Sequence, residues 1–195
     1  MIIALKDKGS VYVAASIEGT YTAFHVDDIL SQDNLKLWRS FFDDKTLIAS
    51  LSAGAPGVDN VRYTDFDALK KPLNNDIVIR EFIPALKDVF TKRNILDSGE
   101  LWHDFLIARD DRAFVITPKF EVCEVEDFEA VGRSDSEDVA FGYLQMSKEF
   151  DPIDRIVNTF KLVEESEGRR HFPIVIMNTT TQDRIVMGKG DESEI

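Results

Sequence analysis

At 195 residues and 44% hydrophobic, the chain has enough apolar content for the core of one globular domain. Its formal net charge of −13 repels phosphate backbones, and no basic stripe with interleaved aromatics offsets it, which argues against nucleic-acid binding. No apolar run approaches the ~20 residues that span a bilayer, and Lys6 and Asp7 interrupt the opening apolar stretch where a signal peptide needs continuity. With one cysteine, Cys123, and so no internal disulfide or Cys-based zinc site, the expectation is a cytosolic protein without cofactor or metal.

The chain opens on a strand signal. Met1-Ile2-Ile3-Ala4-Leu5-Lys6, the turn residues Asp7-Lys8-Gly9-Ser10, and Val11-Tyr12-Val13-Ala14-Ala15-Ser16 read as a β-hairpin tied into a sheet. A Thr/Asp-rich loop is expected from Glu18 to Asp33. Leu35 to Phe41 alternates apolar and polar, Thr46 to Leu51 is apolar and β-prone, and Asp43-Asp44-Lys45 forms the turn between them. Ala53-Gly54-Ala55-Pro56-Gly57 stops that strand. A short helix is predicted from Val58 to about Leu69.

Ile79, Phe82, Ile83, Leu86, Val89 and Phe90 recur at helical spacing behind a cap at Asn75 or Asp76. Pro84 should kink that helix or break it in two. Leu101 to Ala108 and Ala113 to Thr117 flank Arg109-Asp110-Asp111-Arg112 as a second hairpin, and Phe120 to Val125 is a short strand. Ser134-Asp135-Ser136-Glu137 has capping-box spacing, with Ser134 as the cap, ahead of Val139, Ala140, Tyr143 and Leu144. Asp151-Pro152 pairs an N-cap with proline at the first helical position, ahead of Ile153, Ile156, Val157, Phe160 and Val163. Phe172 to Met177 and Asp183 to Met187 close the chain as strands. Residues 1–187 are expected to form a single domain, and the polar, Gly-rich 188–195 a flexible tail.

Strands, helices, strands, helices, strands in separate runs predict an α+β fold of stacked layers, not a parallel βαβ sheet. Helix, sheet, sheet, helix is the expected stacking.

Read in that order, three local patterns resemble the proteasome-like branch of the N-terminal-nucleophile (Ntn) hydrolases, in particular proteasome beta-type subunits. The opening run to Lys6, with the Gly9 turn and Val13-Ala14-Ala15-Ser16, has the shape of the family's first hairpin. Asn34-Leu35-Lys36-Leu37-Trp38-Arg39 is similar to the strand that carries its active-site lysine. Phe128-Glu129-Ala130-Val131-Gly132-Arg133-Ser134, with Ala140-Phe141-Gly142 behind it, resembles the family's Ala-Ile-Gly-Ser-Gly turn and following helix. The resemblance spans Ile2 to about Met187. It implies a four-layer αββα sandwich of two antiparallel sheets, a threonine-type peptidase fold, and assembly into rings or stacked rings.

The family's chemistry needs a threonine, serine or cysteine at the mature N-terminus, whose own amine is the base, supported by a lysine and an aspartate. The resemblance puts Met1 or Ile2 at the nucleophile position, and neither side chain can attack a carbonyl. Ser16 falls at the aspartate position, Lys36 at the lysine position, and Arg133 with Ser134 at the serine of the Gly-Ser-Gly turn. Lys36 alone keeps the family's residue type. The expectation is a family fold with its chemistry lost, acting through self-association as a homo-oligomer, with a protein partner as an option. The alternative is a peptide or amide hydrolase using Ser16, Ser52 or Ser134 beside Lys36.

Other chemistry is weaker. Cys123 lies among Glu121, Glu124 and Glu126, which suppress a thiolate, and reads as a buried structural residue. His25, His103 and His171 lack ligand spacing. Acidic pairs such as Asp27-Asp28 and Asp43-Asp44 read as turns, and no phosphate loop of the Gly-x-x-x-x-Gly-Lys kind occurs. Trp38, Phe41, Phe42 and Tyr63 read mostly as core, with interface the minority reading for each.

Overall fold

A computed structural model describes residues 1–17, 36–40, 42–43, 45–52, 55–181 and 183–188. The predicted loop from Glu18 to Asp33, Leu35, Phe41, Asp44, His25 and the tail beyond Gly188 lie outside the described residues.

The first hairpin forms as the sequence predicts. β1 (Ile2–Asp7) and β2 (Ser10–Ser16) pair in a register that sets Asp7 opposite Ser10, leaving a two-residue loop. Lys8 at φ 44° and Gly9 at φ 83° give that loop the left-handed backbone conformation that lets a two-residue turn match the twist of its strands. Three further strands complete the sheet: β8 (Phe128–Val131) beside β1, β9 (Ile174–Asn178) beside β2, and β10 (Arg184–Met187) at the edge, in the order β10-β9-β2-β1-β8. The second sheet runs β3 (Leu37–Arg39), β4 (Leu47–Ser50), β5 (Phe105–Arg109), β6 (Arg112–Ile116) and β7 (Val122–Glu124) in sequence order. All the strand pairings are antiparallel.

Strand periodicity builds the layers. Along β1, Ile2 and Ala4 face the second sheet, while Ile3 and Leu5 face helices. Between the sheets the core is rich in small residues, with Ala4, Ala15, Ala49, Ala108 and Ala113 beside Val13, Leu37, Leu47 and Leu106, so the sheets approach closely. Outside the first sheet lie α4 (Ser134–Met146) and α5 (Pro152–Glu167), packed through Ala140, Leu144, Ile156, Phe160 and Val163. Outside the second sheet, α1 (Val58–Arg62), α2 (Asn75–Ile77) and α3 (Ile83–Lys92) cover Trp38, Ile48, Phe105, Ile107 and Phe114. The result is the expected helix, sheet, sheet, helix sandwich. Because both faces of each sheet are covered, the central strands β1, β2, β4, β5, β6 and β9 are largely buried on both sides.

Several local expectations are corrected. The helix predicted from Val58 to Leu69 stops at Arg62, and Asp67–Lys70 is a separate 3-10 turn after an extended Phe66. Of the kink or break expected at Pro84, the break does not occur. Val78–Phe82 is π-helical and joins α2 to α3 without leaving helical backbone, and that wide turn accommodates the carbonyl crowding and missing N–H a proline brings. The cap before α2 is Asn74, whose side chain accepts from the Ile77 N–H at 3.0 Å, rather than Asn75 or Asp76. Leu101 to Asp104 lies outside the strand, which begins at Phe105. Cys123 is exposed, not buried, because it points outward from the edge strand β7. Phe42 and Tyr63 are also exposed, whereas Trp38 is core.

Candidate functional site

Sheet register assembles one end of the sandwich. Ile2 pairs with Ala15 on one side and with Val131 on the other, so the next residue along, Met1, lies between Ser16 and Gly132. The Ser16 N–H donates to the Met1 carbonyl at 3.2 Å, extending the ladder to the head of β1. A Cβ at Gly132 would lie 3.6 Å from the Met1 Cβ. From the second sheet, Lys36 enters at the head of β3, its carbonyl accepting from the Ser50 N–H at 2.7 Å.

Met1, Ser16 and Lys36 converge on one hydroxyl. The Met1 nitrogen and the Lys36 Nζ each donate to Ser16 Oγ at 3.3 Å, and Ser16 is buried. These residues line a cleft of about 340 Å³ together with Leu51, Ser52, His103, Gly132, Arg133, Ser136, Glu167, Arg169, Arg170 and His171.

Two side-chain pairs brace the walls. Ser50 Oγ lies 2.6 Å from His103 Nε2 and donates to the Ser52 carbonyl at 2.7 Å. The Ser50 hydroxyl is thus held between the histidine ring and a backbone carbonyl. On the other wall the buried Ser136 hydroxyl donates to Glu167 Oε1, and His171 Nε2 lies 3.0 Å from Glu167 Oε2. Burial pushes His171 below its ordinary pKa, against the opposing pull of Glu167. Facing a carboxylate, Nε2 carries a proton and donates it. Burial works to raise the Glu167 carboxyl, but hydrogen bonds from Ser136 and His171 and the nearby charges of His171 and Arg169 outweigh it and hold the group below the usual range.

No protein-family model matches the chain, and no curated protein does. Solved structures do. BPH of Thiobacillus denitrificans superposes with a TM-score of 0.65 at 17% identity, covering 91% of this chain and 96% of its own, and is also known in complex with epoxomicin. HslV of Trypanosoma brucei gives 0.59 at 13% identity, over 91% of this chain and 97% of that one. The Gly-1 mutant of Anbu from Hyphomicrobium sp. strain MC1 gives 0.62 at 17%, over 98% and 88%. This chain has the proteasome-like Ntn-hydrolase fold.

Within that proteasome-like frame, the residues singled out from sequence part company. Met1, Ser16, Lys36 and Arg133 all line the cleft. Ile2 does not: it is fully buried between the sheets. Ser134 does not either. It is the first residue of α4, exposed, and the cap position belongs to Arg133 without a side-chain cap hydrogen bond. The expected capping box does not form: the Ser134 side chain makes no cap hydrogen bond, and Glu137 Oε1 accepts instead from the Gly132 N–H at 2.8 Å, two residues ahead of Ser134. Phe128 to Val131, read from sequence as part of a turn, is the strand β8 that fixes Gly132 beside Met1.

Sequence reading missed Ser136, Glu167, Arg169 and Arg170, and set His103 and His171 aside. The signal available was Gly168-Arg169-Arg170-His171, a left-handed glycine at φ 65° ending α5 and then three nitrogen bases. That this run turns back toward the head of β1 is a tertiary fact. Among the described residues, no group of His, Cys, Asp and Glu is arranged to hold a metal ion.

Proposed function

We propose that the chain is a catalytically silent protein of proteasome-like fold that acts through self-association. The head of β1 carries this reading. At the cleft, where the resemblance calls for a nucleophile, stands Met1. Its thioether cannot add to a carbonyl, and the alkyl side chain of Ile2 is inert as well. Ser16 offers Lys36 a neutral acceptor where the family has a carboxylate, so the charge pattern is altered too. Groups that act as a unit lose nearly all their effect when one is missing.

Exposed apolar side chains on both outer layers support association. Met146 and Phe150, at and beyond the end of α4, are 79% and 60% exposed, and Tyr63, Ile79 and Trp102 are exposed on the opposite layer. The reading includes a homo-oligomer, with room for a protein partner, in the cytosol, built from one domain over 1–187. Among the described residues no helix is long and apolar enough to cross a membrane. Size-exclusion chromatography with light scattering at micromolar concentration tests the assembly: a multimer is expected, and a strict monomer contradicts it.

The Ser16–Lys36 contact of 3.3 Å favours a second reading, a peptide or amide hydrolase in which Ser16 attacks and Lys36 takes its proton. As placed, Nζ donates to Oγ, so this chemistry requires the lysine to be deprotonated first. Turnover of fluorogenic peptides that disappears in both Ser16→Ala and Lys36→Ala supports it, and turnover unchanged by Lys36→Ala removes it.

A further inference from the structure

The chain as a whole is acidic, with 36 Asp and Glu against 23 Lys and Arg. The described lining of the cleft reverses that balance. Among the described residues lining it, Lys36, Arg133, Arg169 and Arg170 face a single carboxylate, Glu167. That carboxylate is already engaged by Ser136 and His171.

The arginines come from two separate elements. Arg133 precedes α4, and Arg169 with Arg170 follows the glycine that ends α5. Among the described residues, none of the three guanidinium groups has a hydrogen-bond or salt-bridge partner, although carboxylates elsewhere pair readily, as in Arg112 with Glu124 at 2.6 Å and Arg109 with Asp43 at 2.7 Å. Three exposed guanidinium groups and a buried lysine gather positive charge around one cavity, and a bound anion complements it. A cleft with low-dielectric walls also focuses the field, so its local potential departs from the sign of the whole molecule.

We propose that this cleft binds a small oxyanion, a compact molecule bearing carboxylate or phosphate groups. The guanidinium fork matches both groups in bidentate geometry. The volume of about 340 Å³ suits a metabolite-sized ligand. A nucleic acid is a poor occupant, because the surrounding −13 repels an extended phosphate backbone. The assignment concerns recognition and stands apart from whether the chain hydrolyses peptides or assembles.

Isothermal titration calorimetry of the full chain with sodium pyrophosphate and, separately, with sodium citrate tests it, against sodium chloride of matched ionic strength. Saturable binding of at least one anion at one site per chain is expected, weakened about tenfold or more in Arg169→Glu/Arg170→Glu and, independently, in Arg133→Glu. These side chains are exposed, and unchanged thermal unfolding of each variant checks that it folds. Binding of pyrophosphate alone assigns a phosphate ligand, and binding of citrate alone a carboxylate ligand. No saturable binding of either anion, or equal affinity in wild type and the charge-reversed variants, overturns the proposal.

Discussion

Ser16 concentrates the chemistry of the cleft in one hydroxyl that accepts from both the Met1 nitrogen and the Lys36 ammonium. Replacing it with alanine deprives the buried ammonium of an acceptor without disturbing the strand pairing. Ser16→Ala should therefore lower stability by about 0.5–3 kcal/mol, the usual worth of the hydrogen bonds it accepts; urea denaturation measures it. His171 makes a second residue-level prediction. Burial holds its pKa below 6.5, so the folded state binds fewer protons there than the unfolded chain. Its contribution to stability is complete above pH 6.5 and is lost as the pH falls through the folded midpoint. Glu167 acts in the same direction at lower pH, present above about 4.5 and lost as its depressed folded pKa is passed. A titration of the His171 ring by proton NMR should place its midpoint below 6.5. Because Glu167 pulls that value upward, Glu167→Gln should lower it further.

At the scale of elements, the helix ends carry the testable energetics. Asp151 caps α5 by accepting from the Ile153 N–H at 2.9 Å, and Asp151→Ala should cost about 0.5–2 kcal/mol in thermal or chemical unfolding. Gly57 precedes α1 at φ 91°, and a Cβ there would press on the Phe90 ring and come within 2.7 Å of Ile95 Cδ1. Gly57→Ala should lower stability by about 1–3 kcal/mol from overpacking alone, with backbone strain added. The elements that were legible in the sequence are those whose signal is local. The Lys8-Gly9 turn, the Asp151-Pro152 start and the alternation along β1 each stand within a few residues. The π-helical turn ahead of Pro84 was not legible, because a proline inside an apolar helical pattern fits a break as well as an accommodated bulge. Cys123 was misread for a related reason: alternation names two faces of a strand but not which strand lies at a sheet edge. The cleft was half legible. Lys36 and Ser16 follow from the resemblance, while Glu167, Arg169 and Arg170 reach the head of β1 only through the packing of α5 on the first sheet.

For the whole molecule, the sandwich explains why an inert residue at the head of β1 is compatible with a stable fold. Met1 packs with Ile3, Leu5 and the α4–α5 layer, and Ile2 fills the space between the sheets, so the head of β1 is anchored by apolar contacts beside the cleft. The surface is where function is expected to lie. Charge substitutions at Met146 and Phe150 should shift the assembled state toward monomer in light scattering while leaving thermal unfolding of the protomer near its starting value. A multimer indifferent to those substitutions would move the interface to the opposite layer around Tyr63, Ile79 and Trp102.

The central claim, that the fold persists with its attacking group gone, meets its most direct test in the turnover of a fluorogenic peptide panel by the full chain, purified from its own host and weighed intact by mass spectrometry. A chain whose mass corresponds to Met1 or Ile2 at its head and which releases no fluorophore above the buffer rate is the predicted result. Steady turnover by a chain of that same mass, lost on Ser16→Ala, would contradict it.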